Sequence, residues 1–368
     1  KYYIDGVLTP ELELVSGHTY QFDLSDSSLN THPLRFNMDG SPWSDGVEVT
    51  GTLGQDQMVV ISIPSASKGV LSYYCTNHSG MGNDCDIIGN TIAGTDEIDV
   101  IYGLAGDDVI SAGFGADMIY ADAGDDTIVL SASDTYHSFY KAANRSSDLQ
   151  TGTEERVSLK GMLKVEHSAD GGFGTDTIKL DEGNIAYFLH DSYSDFYWQQ
   201  SFATDTLGNT SAPRFFGIEK ITGSDGNNII DLTSPDYSLA EQSIEVDGGL
   251  GADIIWGSDA NETIKGGDGD DELFGGAGTN VLTGGAGADE FQFTMTSKND
   301  SVTNFNAAEG DTLKFFNTGG AEFDKSSAIL SDGKLTIDYG SDANDLLTID
   351  LGNTALTLSD VSDSMIFL

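Results

Sequence analysis

Residues 248–292 fall into five consecutive nonads in one register, starting at Gly248, Gly257, Gly266, Gly275 and Gly284. The sixth positions are Asp253, Glu262, Asp271, Asn280 and Asp289; the eighth are Ile255, Ile264, Leu273, Leu282 and Phe291. A fixed period with glycine, an oxygen-bearing side chain and an apolar residue at constant offsets marks a solenoid. The glycines let the first six residues turn tightly at positive φ. The last three form a short strand, and its middle residue points inward to stack on its equivalents. A disordered Gly/Asp linker has no reason to keep an apolar residue at every eighth position. An earlier array starts at Gly94, Gly103, Ala112 and Ala121, with Asp99, Asp108, Asp117 and Asp126 sixth and Ile101, Ile110, Ile119 and Ile128 eighth.

The pattern resembles the RTX repeat, the haemolysin-type calcium-binding nonapeptide GGxGxDxUx. The resemblance implies an all-β chain built on parallel β-roll segments that bind several Ca²⁺ ions. One nonad is half a coil, so turns on one side of the roll stand eighteen residues apart. Each ion is expected between two such turns, held by hard carboxylate and carbonyl oxygens. The pairs are Asp99 with Asp117, Asp108 with Asp126, Asp253 with Asp271, and Asp271 with Asp289. Glu262 with Asn280 is a fifth, expected weakest because it carries one charge fewer. Third-position acids Asp96, Asp225, Asp259 and Asp268 add ligands or orient neighbouring turns. Two isolated nonad cores contribute Asp176, in Gly171–Ile178, and Asn228, in Gly223–Ile230.

Residues 1–84 read as a small β domain, with alternating strands around Leu12–Val15, Thr19–Asp23, Met58–Ile63 and Val70–Cys75. Its end reads Tyr73-Tyr74-Cys75-Thr76-Asn77-His78-Ser79-Gly80-Met81, with His32 upstream. A thiolate, two imidazoles and a weak axial thioether make a blue-copper ligand set. The stretch resembles the plastocyanin-like cupredoxins, which implies a β-sandwich and copper at His32, Cys75, His78 and Met81. Met81 follows His78 by three residues where plastocyanin-type loops place it five on, a spacing closer to the copper loop of cytochrome oxidase subunit II. Three readings stand: copper at Cys75, a Cys75–Cys85 disulfide, or a sandwich holding neither. The first two exclude each other.

The remaining segments are residues 85–130, the first roll; 131–247, an insertion with degenerate repeats; 248–292, the second roll; and 293–368, a β cap. Within 131–170, Lys141, Arg145, Arg156, Lys160 and Lys164 balance the acids. That stretch reads as a solvated insertion, or as a contact surface for another copy of the chain. His137 and His167 lack metal-ligand spacing and read as surface residues. The aromatic stretch Tyr187 to Phe216 reads as a satellite core on the roll, with a binding groove as the alternative. The final Asp363-Ser364-Met365-Ile366-Phe367-Leu368 resembles the C-terminal end of type I secretion substrates, and the chain reads as a processed product or fragment.

Sixty acidic against 16 basic residues give a net charge of −44. Phosphate backbones would be repelled, which excludes nucleic acid as a partner. No apolar run is long enough to span a bilayer. The expected function is that of a calcium-dependent, secreted bacterial protein of the cell surface: an adhesin segment, a matrix protein or a surface-layer (S-layer) subunit. Its partners would be calcium ions, other copies of itself or a surface ligand. The alternative is a copper electron carrier on an RTX export tail. With no His-Glu-x-x-His helix and no Gly-x-Ser-x-Gly elbow, the expectation is that the chain is not an enzyme.

Overall fold

The computed structural model describes residues 2–368 apart from 16, 39, 64–70, 89–90, 104–105, 132–133, 136–138, 142–155, 159–161, 166, 190–212, 235–236, 298–299, 317–322, 340–345 and 354. The chain is built almost wholly of strands, as its alternating and nonad patterns require.

Among the described residues, after a short hairpin of Tyr3–Ile4 and Val7–Leu8, the N-terminal strands form two larger sheets. One has the order Leu12–Val15, His78–Ile88, Leu71–Cys75, Leu34–Met38, Ser41–Trp43; the other has Thr19–Asp23 and Val47–Thr50 flanking Met58–Ser62. The pairs are antiparallel except where Leu12–Val15 runs parallel to Cys85–Ile88. Alternation delivers one side of each strand to a shared core of Leu14, Phe36, Val59, Ile61, Leu71 and Tyr73.

Beyond residue 90 the chain winds mainly as a parallel solenoid, closed near its end by the antiparallel strands Asp324–Ser331, Lys334–Asp338 and Leu346–Asp350. A twelve-stranded sheet starts with Thr91–Ala93, Val109–Ser111, Thr127–Leu130, Thr177–Leu180, Lys220–Thr222, Ser243–Leu250, Asn261–Asp268 and Val281–Ala286. It therefore runs through both nonad arrays. Facing strands include Val100–Tyr102, Met118–Tyr120 and Ser168–Asp170, and then Ile229–Asp231, Ile254–Trp256, Glu272–Phe274 and Glu290–Phe293. Within the arrays the register is eighteen residues: Ile110 lies opposite Ile128, and Leu273 opposite Phe291. Eighth-position side chains are sealed between the faces, Ile110, Ile128, Ile264, Leu273, Leu282 and Phe291 each at 0% exposure, in one continuous core. A parallel coil buries only what it stacks, so each rung depends on its neighbours.

The corners need glycine for a specific reason. Gly267 and Gly285 have φ of +121° and +119°, and a Cβ on either would fall on the carbonyl of the glycine one coil earlier.

The segment between the arrays continues the coil by other means. Asp134–Thr135 pairs antiparallel with Leu163–Lys164, which runs parallel to Ile185–Ala186. Residues 142–155 of the near-neutral stretch lie outside the described residues. Tyr187, Phe188 and Phe215 are buried in the roll, with the Tyr187 and Phe215 rings stacked at 6.2 Å. Tyr193, Phe196, Tyr197, Trp198 and Phe202 lie outside the described residues. At the far end Met365–Phe367 is itself a strand, added in parallel to Leu313–Phe315. No helix among the described residues is long and apolar enough to cross a membrane.

Candidate metal centres

At each coil corner the sixth-position residue reaches one coil back along the roll. The amide of Asp108 donates to Asp126 Oδ1 at 2.7 Å, Asp253 to Asp271 Oδ1 at 2.8 Å, Asp271 to Asp289 Oδ1 at 3.1 Å, and Glu262 to Asn280 Oδ1 at 2.9 Å. Asp99 donates likewise to Asp117 Oδ1 at 2.9 Å, but sits half-buried at the open end, its carboxylate held by Thr95. The eighteen-residue pairs of the sequence are thus side by side.

What makes these corners more than a hydrogen-bond ladder is the second oxygen. Oδ2 of Asp126, Asp176, Asp253, Asp271, Asp289 and Asp300, and Oε2 of Glu262, are buried with no hydrogen-bond partner among the described residues. A buried carboxylate with one bare oxygen is costly unless a cation or a proton meets it. Burial accordingly pushes Asp253 and Glu262 up to about 7, and Asp271 and Asp289 up to about 6. The bare oxygens of Asp253 and Asp271 lie beneath the leading glycine of their own turn, against the carbonyl of the next: a Cβ on Gly248 would meet both Asp253 Oδ2 and Gly266 O. Carboxylate plus main-chain carbonyl is the hard oxygen set that suits Ca²⁺.

The asparagine rungs depart from the expectation. Asn228 turns its amide nitrogen inward, donating to Gly226 O at 2.7 Å, Ser224 O at 3.3 Å and Asp253 Oδ1 at 3.2 Å. Asn280 Nδ2 donates to Ala277 O at 3.1 Å and to Asp300 Oδ1 at 3.0 Å. In these two turns a donor nitrogen lies where the aspartate turns present Oδ2. The amide satisfies the carbonyls itself, so Asn228 and Asn280 are not placed as oxygen ligands through that atom. Of the third-position acids, Asp96, Asp225, Asp259 and Asp268 are all exposed. Asp259 is engaged by the Ser238 hydroxyl at 2.6 Å and the Leu239 amide at 2.7 Å.

Sequence reasoning missed a second ladder at the fifth position. Asp107 accepts from the Asp125 amide at 2.8 Å, Asp125 from Thr175, Asp270 from Ala288 and Asn261 from Thr279. The doublets Asp107-Asp108, Asp125-Asp126 and Asp270-Asp271 were the available signal. The reading of His167 as a surface residue is corrected as well. It is 0% exposed and occupies the rung after Asp117, its Nδ1 2.9 Å from Asp117 Oδ2 and its Nε2 donating to Ser131 O at 2.7 Å. The intervening fifty residues hid that equivalence.

In the N-terminal sandwich, His32, Cys75 and His78 converge, with ligand atoms all within 4.8 Å of one another. Cys75 Sγ lies 3.9 Å from His32 Nδ1 and 3.8 Å from His78 Nδ1. Strand pairing causes this: Cys75 stands opposite Leu34 on one side and His78 on the other. Asn77 ties the loops by donating to Thr31 O at 2.9 Å, and the Tyr2 hydroxyl donates to His32 O at 2.9 Å. Met81 is buried in the same core. The disulfide reading is corrected, for Cys75 and Cys85 are not bonded to each other. Cys85 pairs with Leu71, four residues down the strand from Cys75. At strand rise that is ~13 Å away, beyond the reach of a disulfide.

Fold and corners together define a parallel β-roll with cation-type carboxylate pairs at its turns. A family profile, the RTX calcium-binding nonapeptide repeat, matches residues 90–128 and 256–291 in four copies, so those two segments carry RTX-type calcium-binding repeats. No curated protein gives a significant match. Among solved structures it is similar to the extracellular lipase LipA from Serratia marcescens, at 20% identity and a TM-score of 0.25, over 77% of this chain and 40% of the lipase. The chain thus spans less than half the length of that protein. The expectation that the chain is not an enzyme is withdrawn: it rested on two absent motifs, which exclude no activity, and the similar structure is that of a lipase.

Proposed function

We propose that the chain is a calcium-closed extracellular roll serving as a structural or adhesive element of a bacterial surface, exported by type I secretion. One observation carries the reading: buried, in-register carboxylates whose second oxygens lack partners. An unfolded chain of net charge −44 repels itself. Calcium affinity of about 10⁻⁴–10⁻³ M, usual for extracellular modules, leaves such a chain open in the cytosol and closes it outside. Metal binding and folding then become one event. In this reading residues 1–84 form a docking head or spacer, and the roll is a stiff rod whose ligand is another copy or a surface partner.

The test is a calcium titration at neutral pH, followed by circular dichroism and by imaging of the loaded protein. Strand signal that appears with calcium, together with sheets or filaments, supports a surface layer. Calcium-dependent folding without assembly favours an isolated adhesive segment. A chain with full strand signal in chelator sinks the proposal.

The cluster of His32, Cys75 and His78 favours a second reading, a transition-metal site in the sandwich used for electron transfer. Thiolate and imidazole suit copper, with Met81 as the axial thioether. Titration with Cu(II) is expected to produce an intense visible band that Cys75→Ser abolishes. Copper binding unaltered by that substitution would remove the reading.

A further inference from the structure

Asp126 ends the first array, and Asp176 lies fifty residues further on, outside the segments that match the repeat profile. Even so, Thr127–Leu130 runs parallel to Thr177–Leu180 with Thr127 opposite Thr177, and Thr177 stands opposite Lys220. The corners follow the strands. The Asp126 amide donates to Asp176 Oδ1 at 2.8 Å, and the Asp176 amide donates to Glu219 Oε2 at 2.8 Å. Glu219 belongs to no nonad, so a third carboxylate joins the column without any repeat signature.

Asp126 is 1% exposed and Asp176 0%. Oδ2 of each has no hydrogen-bond partner among the described residues. A Cβ on Gly171 would lie 2.7 Å from Asp176 Oδ2 and collide with the Gly217 carbonyl, so the bare oxygen sits in a glycine-cornered cradle with a main-chain acceptor. Two sealed acceptors facing a third call for a cation. At the other side of the roll Asn228 answers the same need with its own amide; here no amide is provided.

We propose that Asp126, Asp176 and Glu219 hold hard divalent cations, Ca²⁺, that close the roll across the two stretches where the repeat is interrupted. The inference rests on the calcium reading above. It extends that reading to a junction where the ligands are brought together by the coil rather than by adjacent repeats. The ions fasten the two ends of each interruption, so the arrays on either side are joined by metal as well as by apolar stacking.

The experiment is hydrogen exchange by mass spectrometry on the full chain, with calcium and with chelator, for wild type, Asp176→Asn, Asp271→Asn and Glu219→Gln. The amide substitutions keep size and remove charge. In Asp176→Asn, calcium-dependent protection of 127–130 and 177–180 is expected to be lost while that of 272–274 persists. Asp271→Asn gives the reverse. Glu219→Gln reduces protection at 177–180 and 220–222, and decides the matter should Asp176→Asn fail to fold. Unchanged protection at 177–180 in both junction variants overturns the site. Wild type without calcium-dependent protection anywhere overturns the calcium reading, and this site with it.

Discussion

In chelator, the roll is expected to resist urea better at about pH 5 than at about pH 8, the opposite of its behaviour with calcium. Burial raises Asp126, Asp253, Glu262 and Asp300 to about 7, and Asp176, Asp271 and Asp289 to about 6. In an unfolded chain these carboxyls titrate near ~4. Between those values the metal-free folded state holds protons that the unfolded state has released. Stability from this source is therefore complete below about pH 4 and is lost as pH rises through about 6–7. With calcium present the sign reverses, because the ligands must be ionised and protons compete for them. Urea midpoints in calcium should rise across this range, while those in chelator fall until, near neutral pH, no cooperative transition is left. A chelator series flat between about pH 5 and 8 would show that the buried carboxyls do not govern the fold. Asp271→Asn should flatten that series in part, which separates the buried groups from the general relief of surface repulsion.

Phe291→Ala is expected to cost about 3–5 kcal/mol in calcium-loaded protein, as for other buried aromatic truncations. The ring is 0% exposed, stacked in register between Leu273 and Leu313, with Phe305 at 6.5 Å between centroids. In a solenoid a vacant layer also weakens the coils on both sides, so the loss should appear as a lower urea midpoint for the roll as a whole. Phe173→Ser is the contrast: at 83% exposure on a turn, Phe173 should change stability by less than ~0.5 kcal/mol. Equal effects from the two would mean that the apolar stack is not what holds the coils together.

The repeat arrays were legible because their physics is local. A nonad specifies its own turn and strand, and an eighteen-residue coil follows from two of them. Asp108 with Asp126 and Asp253 with Asp271 could therefore be paired by counting. Counting failed where the chain leaves the period. His167 took the rung after Asp117 because the strand Ser168–Asp170 lies in register on Met118–Tyr120, a pairing that no spacing encodes. Asn280 reads as the weaker partner of Glu262 and Asn228 as an oxygen ligand, yet both amides turn nitrogen inward because the carbonyls around them are acceptors.

By itself the sequence determined the coil, its inward apolar column and the acidic character of its corners, since each is set within nine residues. Only the tertiary structure decided which corners meet across the interruptions, as Asp126 and Asp176 do. It alone separated Cys75 from Cys85 and brought Cys75 to His32. The physical reason is the same in each case. A parallel coil or a sandwich joins residues by strand register, and register across a long connection is settled by the packing of the whole sheet.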